Sequence, residues 1–219
     1  MRDAASAASP YSPAAYPVLE GEGLVIRGWD GETIAAAAQW RDYPFPYQAF
    51  NVDHLRDPVR ARELLDAVIH PGRHRHFVAI EGGEPVGRVS VNLEDPSGLY
   101  IWSVHVPPEH EGRGVCRRML AVVIRWLEST YSGRTCLLNS AAYAEHAHRA
   151  YFALGFRITE TIWRHDRELE EAMWRTSKAE RSTIASHMRF INGHWEARTY
   201  VMRRRRGLPL NTSGSVPRL

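Results

Sequence analysis

Glu111-Gly112-Arg113-Gly114-Val115-Cys116 is the stretch of this chain whose residue types and spacing speak most directly to chemistry. An apolar segment ending at Val104, His105 and Val106 leads into it through two prolines, and an amphipathic segment follows. A strand, a glycine loop and a helix start, in that order, make an anion site. The loop's N–H groups point inward and the helix's positive end favours phosphate. Gly112 and Gly114 let the backbone approach a diphosphate with no Cβ in the way. Two common phosphate loops are excluded. A Walker loop needs Lys followed by Ser or Thr, and a dinucleotide fingerprint needs a third glycine with an acidic residue further on. A tight turn ahead of a helix is the plain structural alternative.

Other side chains could move protons. His105 titrates near neutral pH, and Glu94 closes the preceding strand, so each is a candidate base with an ordinary structural role as its alternative. On the strand Leu99–Val106, strict alternation places Tyr100, Trp102, Val104 and Val106 on one face, with Ile101, Ser103 and His105 on the other. Cys116, near a helix start, could carry a lowered pKa, but a diphosphate seated on the loop would block it, which favours packing. His146 and His148 are two apart and do not share a helix face. His74 and His76 lack a neighbouring carboxylate or thiol, so no metal is expected.

The supporting elements follow from pattern. The 219 residues, 44% hydrophobic, suit one domain with tails. No apolar run approaches the roughly 20 residues of a membrane span, and no membrane partner is expected. No basic and then apolar leader marks a secretory signal. Two cysteines give no disulfide framework, so a reducing cytoplasm is the expected location. Lys178 is the single lysine against many arginines, a bias that fits a GC-rich bacterial genome. The run Arg203–Arg206 could meet nucleic acid, but no aromatics interleave with it and base stacking is unsupported. A solvated strand end is the simpler reading.

Residues 1–18, rich in Ala, Ser and Pro, read as a disordered leader. Strands are expected at 24–29, 76–80, 85–93, 99–106, 135–139, 156–163 and 195–202. Helices are expected from Asp30 to about Arg41, from Asp57-Pro58 to Ile69, from the glycine loop to about Thr130, over 142–154 with Gly155 as its stop, and over 168–187. The tail after Gly207 reads as loose. This order gives an α/β (α+β) fold, a mixed sheet with helices on both faces.

With that order in place, the chain resembles the GCN5-related N-acetyltransferase family. Two motifs carry the resemblance. The family's Gln/Arg-x-x-Gly-x-Gly/Ala loop falls on Glu111–Cys116, and its late Tyr-x-x-x-Gly-Phe signature falls on Tyr151-Phe-Ala-Leu-Gly155-Phe156. One helix, one strand and one helix separate them. The resemblance covers residues 22–164, leaves 165–190 as a helical insertion, and puts a single domain at 19–206. Three positions depart from the family's pattern: Glu111 for Gln or Arg, Cys116 for a small residue, and Ala144 where many members carry Asn.

The resemblance implies a mostly antiparallel central sheet of the acyl-CoA N-acyltransferase type and acetyl-CoA as co-substrate. Its pantetheine arm would lie between the splayed strands 99–106 and 135–139. Val104 and Val106 would pair with the arm, and Asn139 would border it. The amides of Glu111, Gly112, Arg113, Gly114, Val115 and Cys116 would hold the diphosphate. Tyr151 matches the family's general acid, and a water chain could replace a dedicated base. The acceptor is then an amine, expected to be that of a small molecule. A protein N-terminus or lysine, or silent acyl-CoA binding, are the alternatives. The resemblance also allows a homodimer. The loop Tyr43–Tyr47 and the insertion, with Trp163 and Trp174, are expected to wall the acceptor side.

Overall fold

A computed structural model describes residues 16–212. Residues 1–15 and 213–219, most of the expected leader and part of the expected tail, lie outside the described residues. The chain forms β1 (Leu19–Gly21), β2 (Leu24–Gly28), α1 (Gly31–Ala37), α2 (Asp53–Arg56), α3 (Pro58–Ile69), β3 (His74–Glu81), β4 (Glu84–Asn92) and β5 (Leu99–His105). It continues with α4 (Val115–Thr130), β6 (Cys136–Ala141), α5 (Glu145–Ala153), β7 (Phe156–His165), α6 (Arg167–Arg175), α7 (Lys178–Ser182), β8 (Met188–Ile191) and β9 (His194–Arg204). Among the described residues these strands make one nine-stranded sheet in the order β1-β2-β3-β4-β5-β6-β9-β7, with β8 on β9.

Every pairing is antiparallel except β5 with β6. That parallel contact is short. Leu99, Tyr100 and Ile101 face Cys136, Leu137 and Leu138, and the pairing stops there. β5 runs on to His105 and β6 to Ala141 with a gap between them. On its other edge β6 stays bonded to β9 along its whole length, which holds the gap open.

α4 covers one face of the sheet. Its apolar stripe buries Val115, Met119, Leu120, Val123, Ile124 and Leu127 against Phe77, Val89, Val91, Leu99 and Ile101. Each fully buried aliphatic chain there contributes about 1.5–3 kcal/mol. The opposite face carries Trp29, Ile34, Trp40, Val52 and Leu55 over Val78. Asp30 caps α1 by accepting from Thr33 N at 2.8 Å. Asp57 caps α3, with Pro58 in the first helical turn.

Several expectations change. α1 stops at Ala37 rather than Arg41, because Trp40 turns into the core, where its Nε1 donates to the Pro85 carbonyl at 3.1 Å. The 168–187 segment breaks into α6, α7 and a 3-10 turn. Ser177 starts α7 with a capping box, and so divides the segment. β8 was not expected. It forms a hairpin with β9 over Asn192-Gly193, both at positive φ, which is the backbone such a two-residue turn requires.

Strict alternation along β5 also fails. Ser90 faces Trp102 and Arg88 faces His105, so two steps on β4 span three on β5. The extra residue is Ser103, at φ +51. Beyond this bulge Val104 and Val106 join Ile101 on the α4 face. His105 instead shares its face with Trp102, which packs edge-on to His74 and His76.

The arginine run is solvated at Arg205 and Arg206, past the end of β9, but not at Arg204. Arg204 is fully buried; it pairs with Glu128 and donates to the Leu154 carbonyl at 2.7 Å. Arg203 donates to Ser97 O at 2.9 Å and Arg206 to Glu128 O at 3.0 Å.

Candidate active site

The glycine loop lies where β5 ends and α4 begins. Gly112 and Gly114 both have φ +73, a left-handed conformation that side chains rarely adopt. A Cβ at Gly112 would project into open space, so the concave side of the loop is free. Gly114 is the N-cap of α4 and brings no side-chain cap. The first N–H groups of a 16-residue helix are therefore left for an external acceptor. A diphosphate fits this donor set, and the gap between β5 and β6 opens beside it.

The bulge at Ser103 matters here. It takes part of β5 out of register with β4 next to the gap, a position where bulges commonly re-aim backbone groups. Val104 and Val106 are half-buried at this end of the strand. Asn139 lies on β6 level with Val201 of β9; with its amide oriented so that the nitrogen donates to the Leu138 carbonyl at 3.2 Å, the oxygen accepts from Arg164 Nη1 at 3.2 Å.

Tyr151 projects from α5 into the α4 core, edge-on to Phe156 at 6.2 Å. Burial, and then the neighbouring Cys116, hold its hydroxyl well above the usual phenol range, so it stays protonated. Cys116 sits in the first turn of α4, and burial pushes its thiol up to about 12. That rules out a resting thiolate and favours the packing role. The motif pair therefore meets in space: Tyr151 of the second adjoins Cys116 of the first.

The two candidate bases do not meet there. His105 is buried, stacked on Trp40 at 5.3 Å and edge-on to Tyr43 at 5.6 Å. Burial, with the charge of Arg88 and the nearby His54, pulls its pKa down to about 3. A hydrogen-bond interaction with the Phe50 backbone opposes this shift, but neither ring nitrogen reaches good hydrogen-bond geometry. A base that weak has little hold on an ammonium proton. Glu94 is exposed and lies beyond Asn92, which pairs with Tyr100 at the far end of β5 from His105.

Beside the glycine loop, past Glu111 and His146, is a cavity of ≈ 400 Å³ lined by Pro46, Tyr47, Tyr143, Glu145, Thr183, Ile184 and His187. Three separated segments build it: the loop after α1, the start of α5, and the insertion. Tyr47 anchors the first to the second by donating to the Tyr143 carbonyl at 3.2 Å. Burial and the nearby Glu111 and Glu145 raise the Tyr47 hydroxyl. Trp163 and Trp174 are not among the walls. Trp163 lies under Arg189, and Trp174 is on the surface against Phe190.

Glu111 does not confront the loop amides. Its carboxylate accepts from the Tyr43 hydroxyl at 2.8 Å, toward the cavity side. Arg113 turns the other way, donating to Glu81 at 2.6 Å and meeting His110 Nδ1 at 2.8 Å. No motif in the sequence marks Tyr143 or Glu145. The aromatic-proline loop signalled only the Tyr47 wall.

The fold and this cleft define an acyl-CoA-dependent N-acetyltransferase. A family model described as Acetyltransferase (GNAT) family matches residues 20–156, and the chain belongs to that family, with acetyl-CoA as co-substrate. Solved structures agree in fold. A GCN5-related N-acetyltransferase from Brucella melitensis aligns at TM-score 0.59 and 14% identity, covering 86% of this chain and 78% of that one. A ribosomal-protein-S5-alanine acetyltransferase from Vibrio fischeri aligns at 0.56 and 15%, covering 86% and 96%. Spermidine N-acetyltransferase from Vibrio cholerae, in complex with CoA and spermine, aligns at 0.52 and 16%, covering 84% and 95%. No curated protein matched the chain. No helix among the described residues is long and apolar enough to cross a membrane.

Proposed function

We propose that residues 19–206 form one catalytic domain that moves the acetyl group of acetyl-CoA to the primary amine of a small molecule, by direct attack in a ternary complex. The observation that carries this reading is the open cavity lined by Tyr47, Tyr143 and Glu145, whose size falls within the ~300–1,000 Å³ of small-molecule sites. The two free thiols, Cys116 and Cys136, fit a reducing compartment, and we place the enzyme in a bacterial cytoplasm. A second copy could pair with it, as the family resemblance allows.

In this reading the amides from Glu111 to Cys116 hold the diphosphate. The edges of Val104 and Val106 on one strand, and of β6 around Asn139 on the other, flank the pantetheine arm. A backbone N–H near Val106 polarises the thioester oxygen as it gains charge. Tyr151, kept protonated by burial, supplies the proton that the leaving sulfur needs.

A protein acceptor is the second reading, prompted by the fold likeness to the ribosomal-protein-S5-alanine acetyltransferase. The basic run offers it little support, since Arg203, Arg204 and Arg206 are spent on internal contacts. Calorimetry with CoA, followed by mass detection of acetylated products from small amines and from peptides, tests the choice. Small-amine products support the proposal, and products from peptides alone would reverse it.

A further inference from the structure

We propose that Glu111 takes the proton of the incoming ammonium, and that the acceptor is a small primary amine carrying no anionic group. This deepens the acetyl-transfer reading above and rests on it.

β5 offers no usable base. It has no carboxylate, its His105 is sealed behind Trp40 and Tyr43, and Glu94 lies at its other end. Glu111 supplies a carboxylate from the loop. The Tyr43 hydroxyl touches two acceptors, the Val106 carbonyl and, at 2.8 Å, Glu111 Oε1. Glu111 therefore sits one phenol oxygen away from the strand end that adjoins the reacting carbonyl. On its other side Glu111 Oε1 is 3.9 Å from His146 Nε2. His146 packs edge-on to the Tyr47 ring at 5.1 Å, and that ring is a wall of the cavity. One carboxylate thus bridges the end of β5 and the acceptor cavity.

Among the described residues, no arginine neutralises its charge. Arg113 is engaged by Glu81 and His110. The groups facing Glu111 are Tyr43, Tyr47 and His146, with Glu109 beyond Tyr43, and the Glu111 carboxylate is 43% exposed. Glu145 puts a carboxylate on the cavity wall itself. Two carboxylates draw an ammonium in and repel a carboxylate or phosphate. The rings of Tyr47 and Tyr143 give an apolar body a surface to pack on and a cation a face to meet.

The ammonium gives one proton to Glu111, which releases it to solvent. The freed nitrogen pair attacks the thioester carbon, the C–N bond forms, and the C–S bond breaks. One of the two protons left on nitrogen stays in the amide. The other replaces the proton that the departing sulfur takes from Tyr151.

The test uses the full chain with acetyl-CoA and two probe amines. Phenethylamine carries the amine alone, and phenylalanine adds a carboxylate beside it. Wild type and Glu111→Gln are compared from about pH 6 to about pH 10, with CoA affinity measured by calorimetry. Phenethylamine is expected to be acetylated, and phenylalanine on the order of 100-fold less well. Glu111→Gln should lower kcat/KM for phenethylamine on the order of 100-fold near pH 7, recover as the free amine becomes abundant, and leave CoA affinity unchanged. Three outcomes overturn the proposal while leaving the donor reading standing: a wild-type rate and pH profile in Glu111→Gln, equal or better use of phenylalanine, or no turnover of either amine by protein that binds CoA. Failure of wild type to bind CoA strikes the acetyl-transfer reading itself and takes this proposal with it.

Discussion

The glycine cleft proposed for the donor and the cavity proposed for the acceptor are built from different materials. The donor side is backbone: two left-handed glycines, an uncapped helix start and a strand pair that parts after Ile101 and Leu138. The acceptor side is side chain: Tyr47, Tyr143, Glu145 and His187, brought together from three segments well separated along the chain. Backbone recognition demands particular local conformations, which only certain residues permit. Side-chain recognition demands only that distant segments meet, and many residue types can serve. The first can be read in a short motif, whereas the second exists only in the folded chain.

Breaking each side in turn should separate them. The largest effect is expected from Tyr151→Phe, which leaves the core packing in place and removes the proton for the leaving sulfur. Turnover should fall on the order of 10³-fold with CoA affinity unchanged. An unchanged kcat across pH would mean that Tyr151 only packs. Gly114→Val places a β-branched residue at φ +73, in the cap of α4. CoA affinity should drop on the order of 100-fold by calorimetry, and wild-type affinity would mean that the loop does not grip the diphosphate.

Glu145→Gln tests the other side. This residue is exposed at the start of α5, so stability should hold. The KM for phenethylamine should rise on the order of 10-fold without a change in CoA affinity. An effect on CoA and none on the amine would invert the assignment of the two sides.

The smallest effect concerns stability. Burial first, and neighbouring positive charge second, lowers the pKa of His54 to about 4, of His76 to about 4 and of His105 to about 3, from 6.5. These groups are neutral when folded and take up protons on unfolding below about pH 6.5. The unfolded chain therefore binds more protons as pH falls through that window. Stability is retained above it and lost below, by up to about 1.4 kcal/mol per pH unit for each group. Melting curves at about pH 7.5 and about pH 5 should differ by several degrees. His105→Phe, which keeps the stack on Trp40, should narrow that difference.

Much of the scaffold was legible because its signals are local. Asp57-Pro58 marked the start of α3, Gly155 the end of α5, and the alternation Pro85–Leu93 the strand β4. The cleft was legible through its motif pair, whose members Cys116 and Tyr151 do come together. What escaped was set by tertiary contact. Nothing in Leu99–Val106 announces a bulge at Ser103, which depends on the register of β4. Trp40 ends α1 by reaching Pro85, a partner far along the chain. The β8–β9 turn did carry a local sign, Asn192-Gly193, masked by the helix-forming residues before it. Glu111 stood out only as a departure from the motif. The sense of that departure depends on Tyr43 and His146, on the opposite wall.

The most direct measurement is a crystal structure of this chain with CoA. The account predicts diphosphate oxygens within about 2.7–3.2 Å of the N–H groups from Gly112 to Cys116, with the pantetheine arm lying between Val104 and the exposed edge of β6. CoA bound elsewhere, or a diphosphate held by side chains with the loop amides unused, would contradict it.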